Sequence, residues 1–330
     1  MEYRLLGKTG IKVSQLCLGT MSFGGDADAS MSKQMFELSR DKGINFFDCA
    51  DVYNNGQAEI ILGKLIKNCR NEVVIASKVY FPTGKDMNSR GATRYHIMNA
   101  VEASLKRLQT DRIDIYFIHR FDDLTPLEET LRALDDLVTQ GKILYPGASN
   151  FAAWQVAKAL GTADKNGWAP FYCIQPMYNL VKRQAEVEIF PQSQAEQLGV
   201  IPYSPLGGGL LTGKYGIEKK PDSGRLISNK MYATRYSYDW MYQTAENFSK
   251  FAQKKGFSPV SLAVAWAASH PAVTCPIIGG RNITQLRDSL DSIKIEMTPE
   301  LRKTVSSFSP EPPPATDRNE EKTEYNYGTR

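Results

Sequence analysis

The chain has 330 residues, 42% of them hydrophobic and 23% charged, a composition typical of a globular protein and not of a disordered one. Its 40 lysines and arginines and 36 acidic residues leave a net charge of +4, too small for this length to indicate a nucleic acid or an anionic membrane as the partner. The composition favours a small anionic ligand held by a few local basic residues, and it gives no indication of an oligomeric partner.

The sequence also argues against secretion and against disulfide or metal sites. The first ten residues, MEYRLLGKTG, are polar, and no run approaches the roughly 18 apolar residues of a membrane helix. The cysteines are odd in number and lack C-x-x-C spacing, which disfavours disulfides and zinc; they are Cys17, Cys49, Cys69, Cys173 and Cys275. Three histidines without H-E-x-x-H spacing predict no metal site. These features fit a reducing compartment, and we predict a cytoplasmic protein.

Short apolar runs bounded by turn residues predict eight strands that are covered on both faces. They are Gln15–Gly19, Ile44–Asp48, Val73–Lys78, Ile113–His119, Ile143–Ser149, Phe171–Gln175, Val200–Tyr203 and Val273–Ile278. Apolar residues at helical spacing predict helices in the gaps, over Ser32–Lys42, Thr93–Leu108, Pro126–Thr139, Phe151–Gly161, Gln184–Leu198 and Ser258–Ala268. Eight strands alternating with helices over about 260 residues favour an α/β fold, the (β/α)8 TIM barrel, rather than an open sheet.

Three segments depart from this alternation. Residues 3–14 predict an N-terminal β-hairpin that closes the bottom of the barrel. Residues 206–239 predict a long loop after strand seven, rich in glycine and tyrosine. Residues 310–330 have the proline and charge content of a flexible C-terminal tail, so we expect a single barrel domain over residues 1–309.

Ionisable residues close three of the predicted strands. Asp48 ends the second strand, with Tyr53 just beyond it, Lys78 ends the third and His119 ends the fourth. In a barrel of this kind the working residues lie at the C-terminal ends of the strands. Taken alone, Asp48 is explained as a turn residue, Tyr53 as a packing residue, Lys78 as a solvated residue and His119 as a core histidine. Their joint placement at one rim predicts a catalytic site.

These residue types suit the reduction of a carbonyl. Hydride transfer to a carbonyl leaves an alkoxide that needs a proton, which the Tyr53 hydroxyl would donate. The pKa of a free tyrosine is near 10; a Lys78 ammonium lowers it, and Asp48 keeps that lysine charged. His119 would donate a further hydrogen bond to the developing oxyanion.

Further motifs follow the same order along the chain. They are Phe47-Asp48-Cys49-Ala50 with Tyr53, Lys78, His119, Gly147–Phe151, Gln175-Pro176 with Tyr178-Asn179, and Tyr203–Leu210. Together they resemble the aldo-keto reductase superfamily, over about residues 6–290. The resemblance implies NADPH-dependent, reversible reduction of an aldehyde or ketone to an alcohol, with hydride from the nicotinamide. Two positions depart from the family pattern, Cys49 in place of the usual Thr and Ser289 where the family often has Asn.

The resemblance also implies a binding site for NADPH/NADP+ along one rim of the barrel. The implied contacts are Ser149, Asn150 and Gln175 to the carboxamide, Tyr203 to the nicotinamide ring, Ser204, Leu206, Gly208 and Leu210 to the pyrophosphate, Thr20, Met21 and Asp48 from the opposite side, and Gly279, Gly280, Arg281, Gln285, Asp288 and Ser289 at the adenosine end. Lys214, in the glycine-rich segment that follows, either contacts a phosphate of the cofactor or belongs to a plain flexible loop. Arg281 would bind the 2′-phosphate, where a planar guanidinium suits a phosphate well.

Aromatic residues that follow the rim are the candidates for contact with a small-molecule carbonyl substrate. They are Phe23, Tyr80, Phe121 and Tyr178, alongside Tyr53 and His119. A second aromatic group either lines the substrate pocket or pins the long loop onto the barrel; it comprises Tyr215, Tyr232, Tyr236, Tyr238, Trp240 and Tyr242.

Alternatives to an NADPH-dependent reductase fit the sequence less well. The segment from Gly208 to Lys214 nearly spells a phosphate-binding loop, but Tyr215 replaces the Ser or Thr that binds magnesium. No G-x-G-x-x-G follows a strand, which disfavours a Rossmann site. A barrel isomerase or lyase would leave Tyr203 and the Gly279–Arg281 segment unexplained. A cofactor-binding auxiliary or regulatory subunit of the same superfamily, with weak catalysis, stays open, although His119 favours carbonyl chemistry.

Overall fold

A computed structural model describes residues 1–326, with Lys322 described in its backbone alone. In chain order its strands are β1 (Tyr3–Leu5), β2 (Lys12–Ser14), β3 (Cys17–Gly19), β4 (Phe46–Asp48), β5 (Val74–Val79), β6 (Ile113–Ile118), β7 (Ile143–Ser149), β8 (Cys173–Gln175), β9 (Gly199–Val200) and β10 (Ile277–Ile278). Its α-helices are α1 (Ala29–Asp41), α2 (Gln57–Ile66), α3 (Arg94–Leu108), α4 (Leu127–Thr139), α5 (Ala153–Asn166), α6 (Ile189–Ala195), α7 (Arg225–Ser228), α8 (Lys230–Arg235), α9 (Asp239–Lys254), α10 (Pro259–Ala268), α11 (Ile283–Leu290) and α12 (Pro299–Ser306).

Strands β3 to β10 form one parallel sheet that closes on itself. Their order is β10-β3-β4-β5-β6-β7-β8-β9. The N–H groups of Cys275 and Ile277 donate to the carbonyls of Val200 and Pro202, at 3.3 and 2.8 Å, which joins β10 to the end of β9. The antiparallel pair β1–β2 precedes this ring. The predicted (β/α)8 barrel and its N-terminal hairpin are therefore confirmed.

Alternation along the strands separates the barrel's interior from its helical layer. Side chains two residues apart on a strand share a face, so Phe46 lies below Asp48 and Ala76 below Lys78. Phe46 and Ala76 belong to a compact apolar cluster that also holds Leu6 of the hairpin. A larger cluster packs the outer face of the sheet against the helices. The polar residues at the ends of the strands therefore lie directly above the apolar cluster inside the barrel.

The register of the parallel strands brings the predicted catalytic residues to one mouth. Asp48 pairs with Ala76, and Lys78 pairs with Phe117, two residues before His119. Strands β4, β5 and β6 are adjacent and parallel, as expected from the sequence.

Several elements differ from their predicted form because tertiary contacts fix them. Helix α2 begins after Asn54, Asn55 and Gly56, which all have positive φ. This turn lacks the usual sequence signals of a helix start, so the sequence does not predict α2. The helix predicted over Gln184–Leu198 is divided into a 3₁₀ turn (Gln184–Glu186) and α6, and Pro191 in the first turn of α6 has no N–H to continue the hydrogen bonding toward the 3₁₀ turn. The predicted loop at residues 206–239 contains a 3₁₀ segment (Gly207–Thr212) as well as α7 and α8, and α9 follows it.

Residues 310–318 carry no helix or strand, and a short 3₁₀ turn follows at Asn319–Lys322. The flexible tail stays a prediction, and its last residues, 327–330, lie outside the described part of the chain. Among the described residues, none of the helices is long and apolar enough to cross a membrane.

Candidate active site

A buried ion pair lies beneath the mouth of the barrel. Lys78 Nζ donates hydrogen bonds to Asp48 Oδ2 and to the Cys49 carbonyl, both at 2.6 Å, and to Tyr53 Oη at 3.2 Å. Gln175 Nε2 donates to the other Asp48 oxygen at 2.8 Å. Lys78 is fully buried and Asp48 is 2% exposed. The three donors of the ammonium are thus all used, and one of them points at a tyrosine hydroxyl.

Local backbone structure holds Tyr53 and His119 at the rim. Tyr53 starts a 3₁₀ turn, and the next side chain, Asn54, donates to the carbonyls of Met21 and Phe23 at 2.9 and 2.8 Å. The His119 N–H donates to the Val79 carbonyl at 2.9 Å. The rings of Tyr53 and His119 then meet edge to face, with centroids 6.0 Å apart.

Burial sets the protonation of these groups. Burial lowers the pKa of Lys78, but Asp48 and Tyr53 outweigh it and hold that pKa above its ordinary value, so the lysine is charged. Burial, and then Lys78, hold the pKa of His119 well below its usual range, so the imidazole is neutral and has one N–H to donate. Burial raises the pKa of Tyr53, while Lys78 lowers it. Lys78 therefore acts in the predicted direction, but in this structure burial outweighs it.

A cavity of about 1030 Å³ opens above these residues. Most of the predicted site residues line it: Met21, Asp48, Tyr53, His119, Ser149, Asn150, Gln175, Tyr203, Ser204, Leu206, Gly208, Lys214, Gly279, Gly280, Arg281, Gln285, Asp288 and Ser289. Three others lie behind the wall: Lys78 beneath Tyr53, Thr20 with its hydroxyl on the Asp48 carbonyl, and Leu210 in the core. Within residues 1–326 no group of three His, Cys, Asp or Glu side chains is placed to hold a metal ion.

One end of the cavity presents a chain of amide and hydroxyl groups. Tyr203 Oη donates to Asn150 Oδ1 at 2.7 Å, and Asn150 Nδ2 donates to the His119 carbonyl at 2.8 Å and to Ser149 Oγ at 3.1 Å. Ser149 Oγ donates in turn to the Gln175 carbonyl at 2.9 Å. These contacts fix polar atoms from β7, from β8 and from the segment after β9 beside His119.

The other end of the cavity combines a cation with unused polar atoms. The Arg281 N–H donates to Gln285 Oε1 at 3.0 Å, while its guanidinium is exposed and makes no ion pair among the described residues. The Ser289 hydroxyl is buried without a hydrogen-bond partner in the described part of the chain. Asn282 caps α11 by accepting from the Gln285 N–H at 3.0 Å.

The rim aromatics predicted to contact substrate do not line the cavity. Tyr178 is fully buried, stacks on Trp266 at 5.0 Å and donates to Glu186. Phe23 is fully buried as well. The other two are partly buried, and their rings pack on neighbouring aromatics: Tyr80 on Phe81 and Phe121 on Phe151.

Other residues occupy the positions expected for those aromatics. Phe81 lines the cavity in place of Tyr80, and Met177 lines it in place of Tyr178. Met177 lies two residues after Gln175 and forms a β-bridge to Tyr203. Because side chains two residues apart share a face of a strand, extending β8 beyond Gln175 would have placed Met177 on the cavity side. No comparable pattern marks Val52, Arg120, Arg225, Met231 or Arg235, which also line the cavity.

The aromatic group near the long loop serves both of the roles left open by the sequence. Tyr215 and Tyr232 line the cavity. Tyr236 is fully buried and accepts a hydrogen bond from Asn179 at 3.2 Å, which pins the segment to the barrel. Tyr238 is 61% exposed, outside both roles.

A family comparison agrees with this arrangement: the model of the Aldo/keto reductase family matches residues 15–309. The chain belongs to this family. Alignments with its relatives cover nearly the whole of this aldo/keto reductase. The uncharacterized oxidoreductase YrpG of Bacillus subtilis is 38% identical over 94% of this chain and 97% of its own length. A probable voltage-gated potassium channel subunit beta of Arabidopsis thaliana is 36% identical over 89% of this chain and 92% of its own.

A third relative is named for a reaction. The versiconal hemiacetal acetate reductase of Aspergillus parasiticus is 35% identical over 91% of this chain and 94% of its own length. The relatives thus include both oxidoreductases and a channel subunit, and their coverage indicates that the whole barrel is shared.

The aldo/keto reductase barrel also buries an unpartnered carboxyl that sequence reasoning missed. Asp51 lies two residues before Tyr53 and is 2% exposed, and neither carboxyl oxygen has a hydrogen-bond partner among the described residues. Burial, reinforced by nearby Glu59, raises the pKa of Asp51 to about 8, although Arg107 acts in the opposite direction.

Asp51→Asn should remove a pH dependence of stability. The unfolded chain releases the Asp51 proton near its ordinary pKa of 3.8, whereas the folded chain keeps it to about 8. The folded state therefore binds more protons between these values, and the wild type should lose stability against Asp51→Asn as pH rises through this window, by at most about 1.4 kcal/mol per pH unit. Urea unfolding at pH 5, 6, 7 and 8 measures this, with Asp164→Asn on exposed α5 as the control. A constant difference across these pH values would contradict the raised pKa.

Proposed function

We propose that this aldo/keto reductase reduces an aldehyde or ketone to an alcohol, reversibly, with NADPH as its cofactor. The observation that carries the proposal is the Tyr53 hydroxyl, which lies on the cavity wall 3.2 Å from the charged Lys78 ammonium. A neutral His119 stands across from it. A proton donor and a second hydrogen-bond donor thus flank one point, as carbonyl reduction requires.

The cavity suits an extended anionic dinucleotide. Its lining combines the fixed amide groups of Asn150 and Gln175 with the Arg281 guanidinium, which makes no ion pair among the described residues. Gly208 and Gly209, which also line the cavity, have φ of +67° and +105°, so the backbone turns there without a side chain in the way. The buried, unpartnered Ser289 hydroxyl is a polar atom that a ligand would satisfy. These observations support NADPH as the occupant.

The contacts proposed for the cofactor are those that the family resemblance implies, and most of the residues concerned line the cavity. Ser149, Asn150 and Gln175 would hold the carboxamide, and Tyr203 would stack on the ring. Ser204, Leu206, Gly208 and Lys214 would lie along the pyrophosphate, and Gly279, Gly280, Arg281, Gln285, Asp288 and Ser289 around the adenosine. Thr20 and Leu210 would support the wall from behind. The bound nicotinamide would supply the hydride.

The chain's own residues would manage the proton. Tyr53 Oη would donate its proton to the substrate oxygen, and the Lys78 ammonium would stabilise the phenolate left behind. Asp48 would keep Lys78 charged and oriented. The single N–H of neutral His119 would orient the carbonyl. The first test is the loss of absorbance of reduced nicotinamide with a panel of aldehydes and ketones.

A second candidate function is a cofactor-binding auxiliary or regulatory subunit with weak catalysis. The relative named as a potassium channel subunit beta supports it. His119 at the rim and the Tyr53–Lys78–Asp48 contacts support the enzyme instead, since a subunit that only binds cofactor has no need of a proton donor. Cofactor binding without turnover of any aldehyde or ketone would favour the auxiliary subunit.

The proposed partner is a small-molecule carbonyl substrate, and the proposed location is the cytoplasm. All five cysteines are free thiols, which a reducing compartment favours.

Arg281→Ala should weaken the binding of NADPH and leave the binding of NADH nearly unchanged. The Arg281 guanidinium has no acidic partner within residues 1–326, and a charge-assisted contact to the 2′-phosphate is worth roughly 1.5–3 kcal/mol. The dissociation constant of NADPH should therefore rise by about ten- to a hundred-fold, while that of NADH should change little. Quenching of tryptophan fluorescence measures both, with Arg287→Ala, an exposed arginine of α11, the helix that begins just after Arg281, as the control. Equal weakening of NADPH and NADH would place the 2′-phosphate elsewhere.

A further inference from the structure

The cavity holds a cation that neither the catalytic contacts nor the proposed cofactor site uses. Arg120 follows His119 in the chain, is exposed, and lines the same cavity as Tyr53. It forms no ion pair with any residue in the described range 1–326. An exposed guanidinium without an acidic partner, next to a catalytic residue, is available to an anionic ligand.

The backbone on both sides of Arg120 is anchored. On one side the His119 N–H donates to the Val79 carbonyl at 2.9 Å. On the other side the Phe121 ring packs edge to face against Phe151, with centroids 5.2 Å apart. The neighbours of Arg120 are therefore fixed to the barrel, and its side chain starts from a defined point on the rim.

The nearest acid in the sequence is already engaged. The Asp122 carboxylate accepts from the N–H groups of Ala92 and Leu124, at 2.7 and 3.0 Å, and from Thr125 Oγ1 at 2.8 Å. With these donors Asp122 braces the loop after β6 and does not neutralise Arg120.

The other acids that line the cavity are paired or distant in the ring of strands. Asp48 is committed to Lys78. Asp26 follows β3 and Asp288 lies on α11 after β10, whereas Arg120 follows β6, three and four strands away in the sheet order. The wall of the cavity beside His119 therefore carries a positive charge.

Apolar side chains line other parts of the same cavity. The Phe81 ring lies 4.9 Å from the His119 ring, and Val52 and Met177 line the cavity as well. A substrate that spans the cavity can therefore place an apolar body against these side chains and an anionic group on Arg120.

We propose that Arg120 binds an anionic group, a carboxylate or a phosphate, on the carbonyl substrate. This aldo/keto reductase then reduces anionic aldehydes or ketones in preference to neutral ones. The fork of the guanidinium matches the paired oxygens of either anion. The inference rests on the proposed function, since the anion is carried by the molecule whose carbonyl meets Tyr53.

Matched substrates test the proposal with NADPH in excess. One pair is 4-carboxybenzaldehyde and benzaldehyde, and the other is glyceraldehyde 3-phosphate and glyceraldehyde, so the two pairs distinguish carboxylate from phosphate. The wild type should show the higher kcat/KM for the anion of at least one pair. Arg120→Met should reduce that preference by about ten- to a hundred-fold, mainly through KM, and Arg120→Lys should restore part of it. Lys106→Met, which removes an equal charge from the exposed face of α3, should leave the preference unchanged.

The outcomes separate this inference from the proposed function. Reduction of the neutral aldehydes without preference for either anion would overturn the role of Arg120 and leave the reductase proposal standing. A loss of NADPH affinity in Arg120→Met equal to the loss of turnover would assign Arg120 to the cofactor and overturn the inference as well. If no aldehyde is turned over, the reductase proposal fails, and calorimetric titration of wild type and Arg120→Met with 4-carboxybenzaldehyde decides the anion contact by itself. Equal dissociation constants there would overturn it.

Discussion

Tyr53→Phe should lower turnover of any aldehyde by about 10²- to 10⁴-fold, the usual effect of removing one essential proton donor. The substitution deletes only the hydroxyl that accepts from Lys78 Nζ, and the ring keeps its edge-to-face contact with His119. We therefore expect the dissociation constant of NADPH to stay close to that of the wild type. Steady-state kinetics and fluorescence titration measure the two quantities.

The control for Tyr53→Phe is Tyr95→Phe. Tyr95 lies on α3 and is 66% exposed, so its hydroxyl contributes nothing to the cavity. Turnover by Tyr53→Phe within a few-fold of the wild type would remove Tyr53 from the role of proton donor.

Lys78→Met should reduce both activity and stability. The substitution leaves the Asp48 carboxylate buried with the Gln175 amide and without a cation. Breaking a buried ion pair by removing one partner costs about 3–5 kcal/mol of unfolding free energy, because the other charge stays uncompensated. Urea unfolding of wild type and variant measures the loss.

A second variant identifies the cause of that loss. Lys78→Met combined with Asp48→Asn removes the stranded charge, so the double variant should recover part of the lost stability while staying inactive. Lys106→Met, at an exposed position of α3, controls for the loss of a lysine as such. A Lys78→Met protein as stable as the wild type would mean that Asp48 is not destabilised by losing its cation.

The sequence was sufficient to place Asp48, Lys78 and His119 together. Each closes a short apolar strand, and parallel neighbours in a barrel must end at the same mouth. Side-chain alternation along a strand then directs Asp48 and Lys78 inward above Phe46 and Ala76. These are local patterns with a single geometric consequence, which is why the prediction needed no side-chain detail.

Contacts between distant segments were beyond the same reasoning. Gln175 meets Asp48 across 127 residues of sequence, and only the family resemblance had brought Gln175 into the site. Tyr178 is fully buried whereas its neighbour Met177 lines the cavity, a difference of one residue that the motif did not show and that only the alternation of β8, continued past its end, identifies. Helix α8 has six residues, too few to be stable alone, and the Tyr232 ring packs directly against Gly208.

Burial was the other quantity that the sequence did not supply. It raises the pKa of Tyr53 despite Lys78, and it makes Asp51 a titrating group near neutral pH. Both effects depend on how completely the surrounding helices cover the strands, which no motif records.

The hairpin at the start of the chain is fastened to its last third. Arg4 Nη1 donates to the carbonyls of Ala268, Val273 and Thr274, up to 270 residues away in sequence. Strand β3 likewise gains its second neighbour only from β10. During synthesis on the ribosome the nascent chain must therefore carry an unpaired strand edge at β3 until nearly all of its residues have emerged. Open edges of this kind template association with other chains, so the newly made protein is open to such association until β10 pairs with β3.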